Sequence, residues 1–175
     1  MDFQQYAAQL VEFVRTHREW AELIVFALAF GESLAFFSLL LPASVILFSL
    51  SALVGASGLN FWTIWIAAGL GGTLGYAISY WIGYFFKDTI ATYRPFSTNP
   101  DMLPRGHAFF EKWGMLGVFF GHFFGPVRAV IPVVAGIVAM PQWQFQIANV
   151  ASAFLWAAGV LAPGTFGMKW LLGSA

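Results

Sequence analysis

Gly121-His122-Phe123-Phe124-Gly125-Pro126-Val127-Arg128-Ala129-Val130-Ile131-Pro132 is an apolar stretch that carries an arginine and two prolines. Proline removes a backbone donor and ends or kinks a helix, so the stretch does not read as one straight helix. Arginine in apolar surroundings is costly unless it faces the protein interior and finds a partner. After Arg128 no charge appears until Lys169. A matching stretch lies upstream, with Phe30-Gly31-Glu32 followed by Leu41-Pro42-Ala43-Ser44, and residues 33–86 carry no charge at all. A bilayer core about 30 Å thick takes roughly 20 apolar residues as a helix, so each uncharged block holds about two passes or more.

The whole chain agrees with this reading. Of its 175 residues 59% are hydrophobic, 19% aromatic and 9% charged. Soluble domains carry about 25% charged residues, so sixteen charges are too few for a water-facing surface. The net charge of zero gives no footprint for nucleic acid. The absence of cysteine excludes thiolate chemistry. What remains is a single-domain, multi-pass α-helical membrane protein.

The breaks divide the chain. Residues 1–19 form an amphipathic helix, with Phe3, Tyr6, Leu10 and Val14 at helical spacing. Four glutamates and two arginines precede a very long apolar run, unlike the basic head and short run of a signal peptide. Residues 20–58 hold a helix and a first re-entrant hairpin broken at Pro42, and 59–86 a transmembrane helix whose Gly75 and Gly83 suit close helix approach. Residues 87–113 are a polar loop with a short amphipathic helix over Arg105–Trp113. Residues 114–140 form a second re-entrant hairpin broken at Pro126, and 141–175 a transmembrane helix and tail. That last helix is expected from about Gln142 to Leu161, where Gly159, Pro163, Gly164 and Gly167 break it up. The order of elements repeats, and an offset of 84 residues pairs Pro42 with Pro126 and Phe61 with Phe145. Paired broken segments in two halves point to an inverted repeat with a site where the breaks meet.

Glu32 and Arg128 are the two charges inside the apolar blocks. In the hairpin reading they come from opposite halves and can meet. Arg128 then offers a fork for a lipid phosphate, and Glu32 a carboxyl that exchanges a proton. An ion pair that merely staples the hairpins explains both residues as well. His122, six residues before Arg128, is a titratable second donor or a packing residue. Asn149 and Trp156 share a face of the last long helix, where the amide can bond across helices. Ser44 presents a hydroxyl near a hairpin tip or caps a broken helix. No metal or cofactor is expected, since His107 and Glu111 lack a third ligand.

These residues resemble the signatures of the DedA family of bacterial inner-membrane proteins. Phe30-Gly31-Glu32 … Leu41-Pro42-Ala43-Ser44 resembles the first signature, and Gly75 … Tyr80 … Gly83 the second. Gly121-His122-Phe123 … Gly125-Pro126-Val127-Arg128 … Pro132 … Ala135-Gly136 is similar to the third, with Asn149 and Trp156 in the tail that follows. The resemblance covers residues 20–168 and implies two facing re-entrant hairpins. It also implies transport of polyprenyl phosphate (undecaprenyl phosphate, for example) or phospholipid across the inner membrane, with suspected proton coupling, and kinship to eukaryotic lipid scramblases. Three positions depart from it. Ser44 stands where the family often has an acid, Tyr76 where it often has an aspartate, and His122 where it usually has an arginine.

A lipid phosphatase is the competing enzyme. Lys87 … Arg94-Pro95 and Pro104-Arg105-Gly106-His107 resemble the first two motifs of type-2 phosphatidate phosphatases. No histidine follows His122 and no aspartate follows Asp101, so that family's nucleophile is missing. A non-transporting envelope scaffold is the third reading. The sequence favours a non-enzymatic flippase of a lipid phosphate, with the lipid, the bilayer and a second copy of the chain as candidate partners. It leaves orientation open, although Lys87, Arg94, Arg105 and Lys112 favour a cytoplasmic loop.

Overall fold

The computed structural model describes residues 16–34, 43–92, 98 and 101–173. Most of the N-terminal segment expected to be amphipathic, the segment containing Pro42, and Arg94 lie outside these residues. Within them the chain is all helix: α1 (Arg18–Ser33), α2 (Ala43–Ser57), α3 (Phe61–Phe85), α4 (Lys87–Thr92), α5 (Met102–Gly121), α6 (Gly125–Ile137) and α7 (Gln142–Gly173).

Length sorts them. At 1.5 Å per residue α3 and α7 are about 38 and 48 Å long, enough to cross a bilayer. With 16, 15 and 13 residues, α1, α2 and α6 each fall short of a full crossing. Asn60 starts α3 by accepting the N–H of Trp62 at 3.0 Å. Gly114, at φ 46°, divides α5 into an amphipathic first part and a second part leading to His122. The expected Arg105–Trp113 helix is that first part.

Polarity in the long helices runs inside out. Trp62, Ile66, Leu70, Leu74, Ile78 and Ile82 recur every four residues on α3, and all are exposed. The opposite face buries Tyr76, Ser79 and Tyr80 with five glycines. On α7 Trp143, Ile147, Leu155 and Trp170 are exposed while Asn149, Ser152 and Thr165 are buried. Water would favour the reverse; lipid favours this arrangement, because apolar chains solvate the outside and polar groups must find partners within.

The packing is reciprocal. α1 lies along α3 and α5 along α7, whereas α2 crosses to α7 and α6 crosses to α3. Small residues set these crossings. A Cβ on Gly75 would stand 2.6 Å from the Phe30 carbonyl oxygen of α1, and one on Gly83 would run into the Val133 carbonyl of α6. Two apolar clusters result. One gathers Tyr76, Tyr80, Val118, Ile131 and Phe145. The other gathers Val25, Ala29, Leu47, Ile64, Trp156 and Leu161.

Two expectations need correction. The last helix does not stop near Leu161 but continues through Pro163 to Gly173. Its glycines and proline are tolerated because α2 packs there: Thr165 Oγ1 donates to the Ser51 carbonyl at 3.0 Å, and Gly164 leaves room for Ser51. The 87–113 segment is also less a loop than expected, since α4 and the first part of α5 occupy much of it.

Candidate functional site

Glu32 and Ser33 end α1, and Arg128 lies in the opening turn of α6. Gly125-Pro126 starts that helix, a favoured place for proline because the first N–H groups lack intrahelical partners. The negative end of α1 and the positive end of α6 therefore meet at the seam between the two apolar clusters.

The two charges pair there. Arg128 Nη1 donates to Glu32 Oε1 at 2.8 Å, and Nη2 donates to Ser33 Oγ at 3.0 Å. Glu32 is 6% and Arg128 4% exposed, so both are withdrawn from solvent. The guanidinium carbon stands 4.3 Å from the Trp156 ring centroid, a cation–π contact worth about 2 kcal/mol when desolvated. Tyr76 donates its hydroxyl hydrogen to the Arg128 carbonyl at 3.0 Å. Among the described residues Arg128 Nε has no partner, so one edge of the fork is uncommitted.

A second polar chain joins from α7. His122 Nδ1 lies 3.2 Å from Ser152 Oγ, and Ser152 donates to the Asn149 carbonyl at 3.1 Å. Asn149 Nδ2 donates to the Thr73 carbonyl at 3.0 Å and to Gln146 Oε1 at 3.1 Å. The His122 ring lies 4.3 Å from the Tyr76 ring and 5.9 Å from Trp156. Thus Glu32, Arg128, His122, Asn149 and Trp156 come together as one buried assembly. Ser44 lies in the first turn of α2 and Pro126 in that of α6, with side chains outside the described residues; Pro42 is outside entirely. Gly75 and Gly83 hold α3 against α1 and α6, as the clashes above require.

Sequence reading missed Ser33 and Ser152 and saw Tyr76 only as a departure. Ser152 had a legible signal, three residues after Asn149 and four before Trp156, hence on their face of the helix. Tyr76 had none, because its partner is a backbone carbonyl fifty-two residues away. The phosphatase-like residues Lys87, Arg105 and His107 are exposed on α4 and α5. Among the described residues no three potential ligands cluster for a metal.

An all-helical chain with an apolar exterior and an ion pair enclosed between broken helices defines a class, the helical membrane proteins with a buried polar site. Its family is also defined. The VTT domain matches residues 41–166, and the chain belongs to this family, the DedA family whose signatures it resembles. It is 32% identical over 157 residues to inner membrane protein YabI of Escherichia coli, covering 90% of this chain and 62% of that protein. It is 32% identical over 155 residues to the uncharacterized membrane protein BU139 of Buchnera aphidicola, covering 89% and 60%. The uncharacterized membrane protein slr0232 of Synechocystis is 31% identical over 134 residues, 75% of this chain and 62% of that one. The chain thus spans about three fifths of the length of these relatives. No solved structure matches it.

Proposed function

We propose that this protein carries the phosphate head group of a lipid across the bacterial inner membrane without chemical change. The observation that carries the reading is Arg128, buried between the two halves, tethered on one side by Glu32 and Ser33 and uncommitted at Nε. A phosphate oxygen is the natural acceptor for a planar guanidinium. The N-terminus of α6 adds the partial positive charge of its free N–H groups. Glu32 holds the guanidinium in place while the site is empty, and Asn149 and His122 extend the polar lining.

The halves would work as an inverted repeat of two re-entrant hairpins, each followed by a full span. Support comes from the short α1, α2 and α6, and from the exchange in which α2 and α6 each pack on the long helix of the other half. The prenyl or acyl tails would remain in lipid, so the protein need lower the barrier only for the head group.

The test uses purified protein in proteoliposomes, with Glu32→Gln and Arg128→Ala beside the wild type. Transbilayer movement of undecaprenyl phosphate and of a phospholipid, and release of inorganic phosphate, are followed together. Movement that is lost in both variants, without phosphate release, is the expected result. Phosphate release would instead make the protein a lipid phosphatase and redirect attention to Lys87, Arg94 and His107. Movement that survives Arg128→Ala would reduce the ion pair to a staple.

A further inference from the structure

His122 is the ionisable group that lipid-phosphate binding leaves without a defined task. It is 1% exposed, and Nε2 has no partner among the described residues. Its tautomer is assigned from the hydrogen bonds of Ser152. Ser152 owns one hydroxyl hydrogen, and that hydrogen is directed to the Asn149 carbonyl. With that hydrogen on the Asn149 carbonyl, Ser152 accepts from the imidazole, which assigns the hydrogen to Nδ1 and the lone pair to Nε2.

Few charged or titratable groups face this ring. Tyr76 comes from α3. From α6, Arg128 is reached through the shared Trp156 ring and through its carbonyl, which accepts from Tyr76. Glu32 of α1 lies beyond Arg128. The described neighbours from α7, Ser152, Asn149 and Trp156, are neutral.

On the reading that Arg128 binds a phosphate, we propose that His122 takes up a proton at Nε2 as the anion enters, so that anion and proton bind together. Charge accounting leads there. In the empty site Glu32 and Arg128 cancel, and a charged His122 would leave one buried positive charge. A singly charged phosphate on the Nε edge need not displace Glu32 from Nη1, so the occupied site would carry one excess negative charge. Unbalanced charge in an apolar interior is strongly unfavourable. A proton drawn from water forms the Nε2–H bond and restores neutrality, while the Nδ1–H stays on Ser152. The sequence points to Glu32 for the proton; the proposal gives it to the imidazole, since protonating Glu32 would weaken its 2.8 Å pair with Arg128.

The test measures binding of dihexanoyl phosphatidylglycerol to the full chain in detergent. Its phosphodiester keeps a single charge wherever an imidazole titrates, so any proton counted belongs to the protein. Calorimetry in buffers of different ionisation heat gives protons taken up per lipid. Wild type should take up about one proton where His122 starts neutral, and its Kd should rise about tenfold per pH unit there. His122→Gln should bind more weakly than wild type at the acid end of the range, with no uptake and a flat pH profile. Should that variant fail to fold, 15N shifts of the His122 imidazole in wild type must change from a bare to a protonated Nε2 on adding lipid. Uptake that persists in His122→Gln would put the proton on Glu32 and overturn the proposal, as would wild-type binding without uptake. Absence of binding in wild type, or undiminished binding by Arg128→Ala, would instead overturn the phosphate reading on which the proposal rests.

Discussion

Replacing Glu32 and Arg128 singly and together separates a staple from a binding site. Arg128→Met leaves the Glu32 carboxylate nearly sealed from solvent, without its 2.8 Å partner. Orphaning one member of a buried pair costs about 3–5 kcal/mol, so this variant should lose that much stability. Glu32→Leu should cost less, near the low end of that range, because the guanidinium keeps the Ser33 hydroxyl and the Trp156 face. The double variant removes both charges and fills the space with side chains of similar bulk. Such replacements are often neutral or even stabilising, so the double should recover most of the loss, with a coupling energy of about 3 kcal/mol or more. Denaturation in detergent at fixed protein concentration gives the stabilities, and the proteoliposome assay gives transport. The two readouts should part company: the double variant folds like wild type yet moves no lipid. A double variant that transports would refute the phosphate role of Arg128. A double variant whose stability loss equals the sum of the singles would refute the claim that the two charges are coupled.

Three further outcomes follow from the same contacts. Arg128→Lys should fold, because an ammonium can still reach Glu32, but lose about tenfold to a hundredfold in transport with the fork and one charge-assisted hydrogen bond, read as initial rate in proteoliposomes. Tyr76→Phe removes only the hydrogen bond to the Arg128 carbonyl, so it should lower stability by about 1 kcal/mol in the same denaturation assay. Gly83→Leu drives a side chain into the Val133 backbone of α6 and should abolish the monodisperse peak in size-exclusion chromatography, whereas Ile82→Leu beside it, facing outward, should leave that peak unchanged.

What could be read from the sequence follows from how far each signal reaches along the chain. The isolation of Glu32 and Arg128 inside apolar blocks is a one-dimensional fact, and burial of a charge demands a partner, so their meeting was foreseeable. The spans α3 and α7 were legible from uncharged length. The C-terminal end of α7 was not, because Pro163 is a local breaker whose effect is cancelled by α2, more than a hundred residues earlier in the chain. Ser33 escaped notice, and Tyr76 stood out only as a departure from the family pattern. A serine beside a glutamate and a tyrosine in an aromatic-rich helix carry no pattern until the helices cross.

The crossing also gives the site its sign. α1 brings its C-terminal, negative end and a carboxylate, while α6 brings its N-terminal, positive end and a guanidinium. These contributions cancel when the site is empty, which is what lets them sit together away from water. Glu32 Oε1 is engaged with Arg128 Nη1, while Arg128 Nε and His122 Nε2 have no hydrogen-bond partner among the described residues. A site meant only to hold two helices together would gain nothing from unsatisfied polar atoms, because each costs about 1–3 kcal/mol when buried. The guanidinium N–H retained at Arg128 Nε favours a visiting acceptor such as a phosphate oxygen.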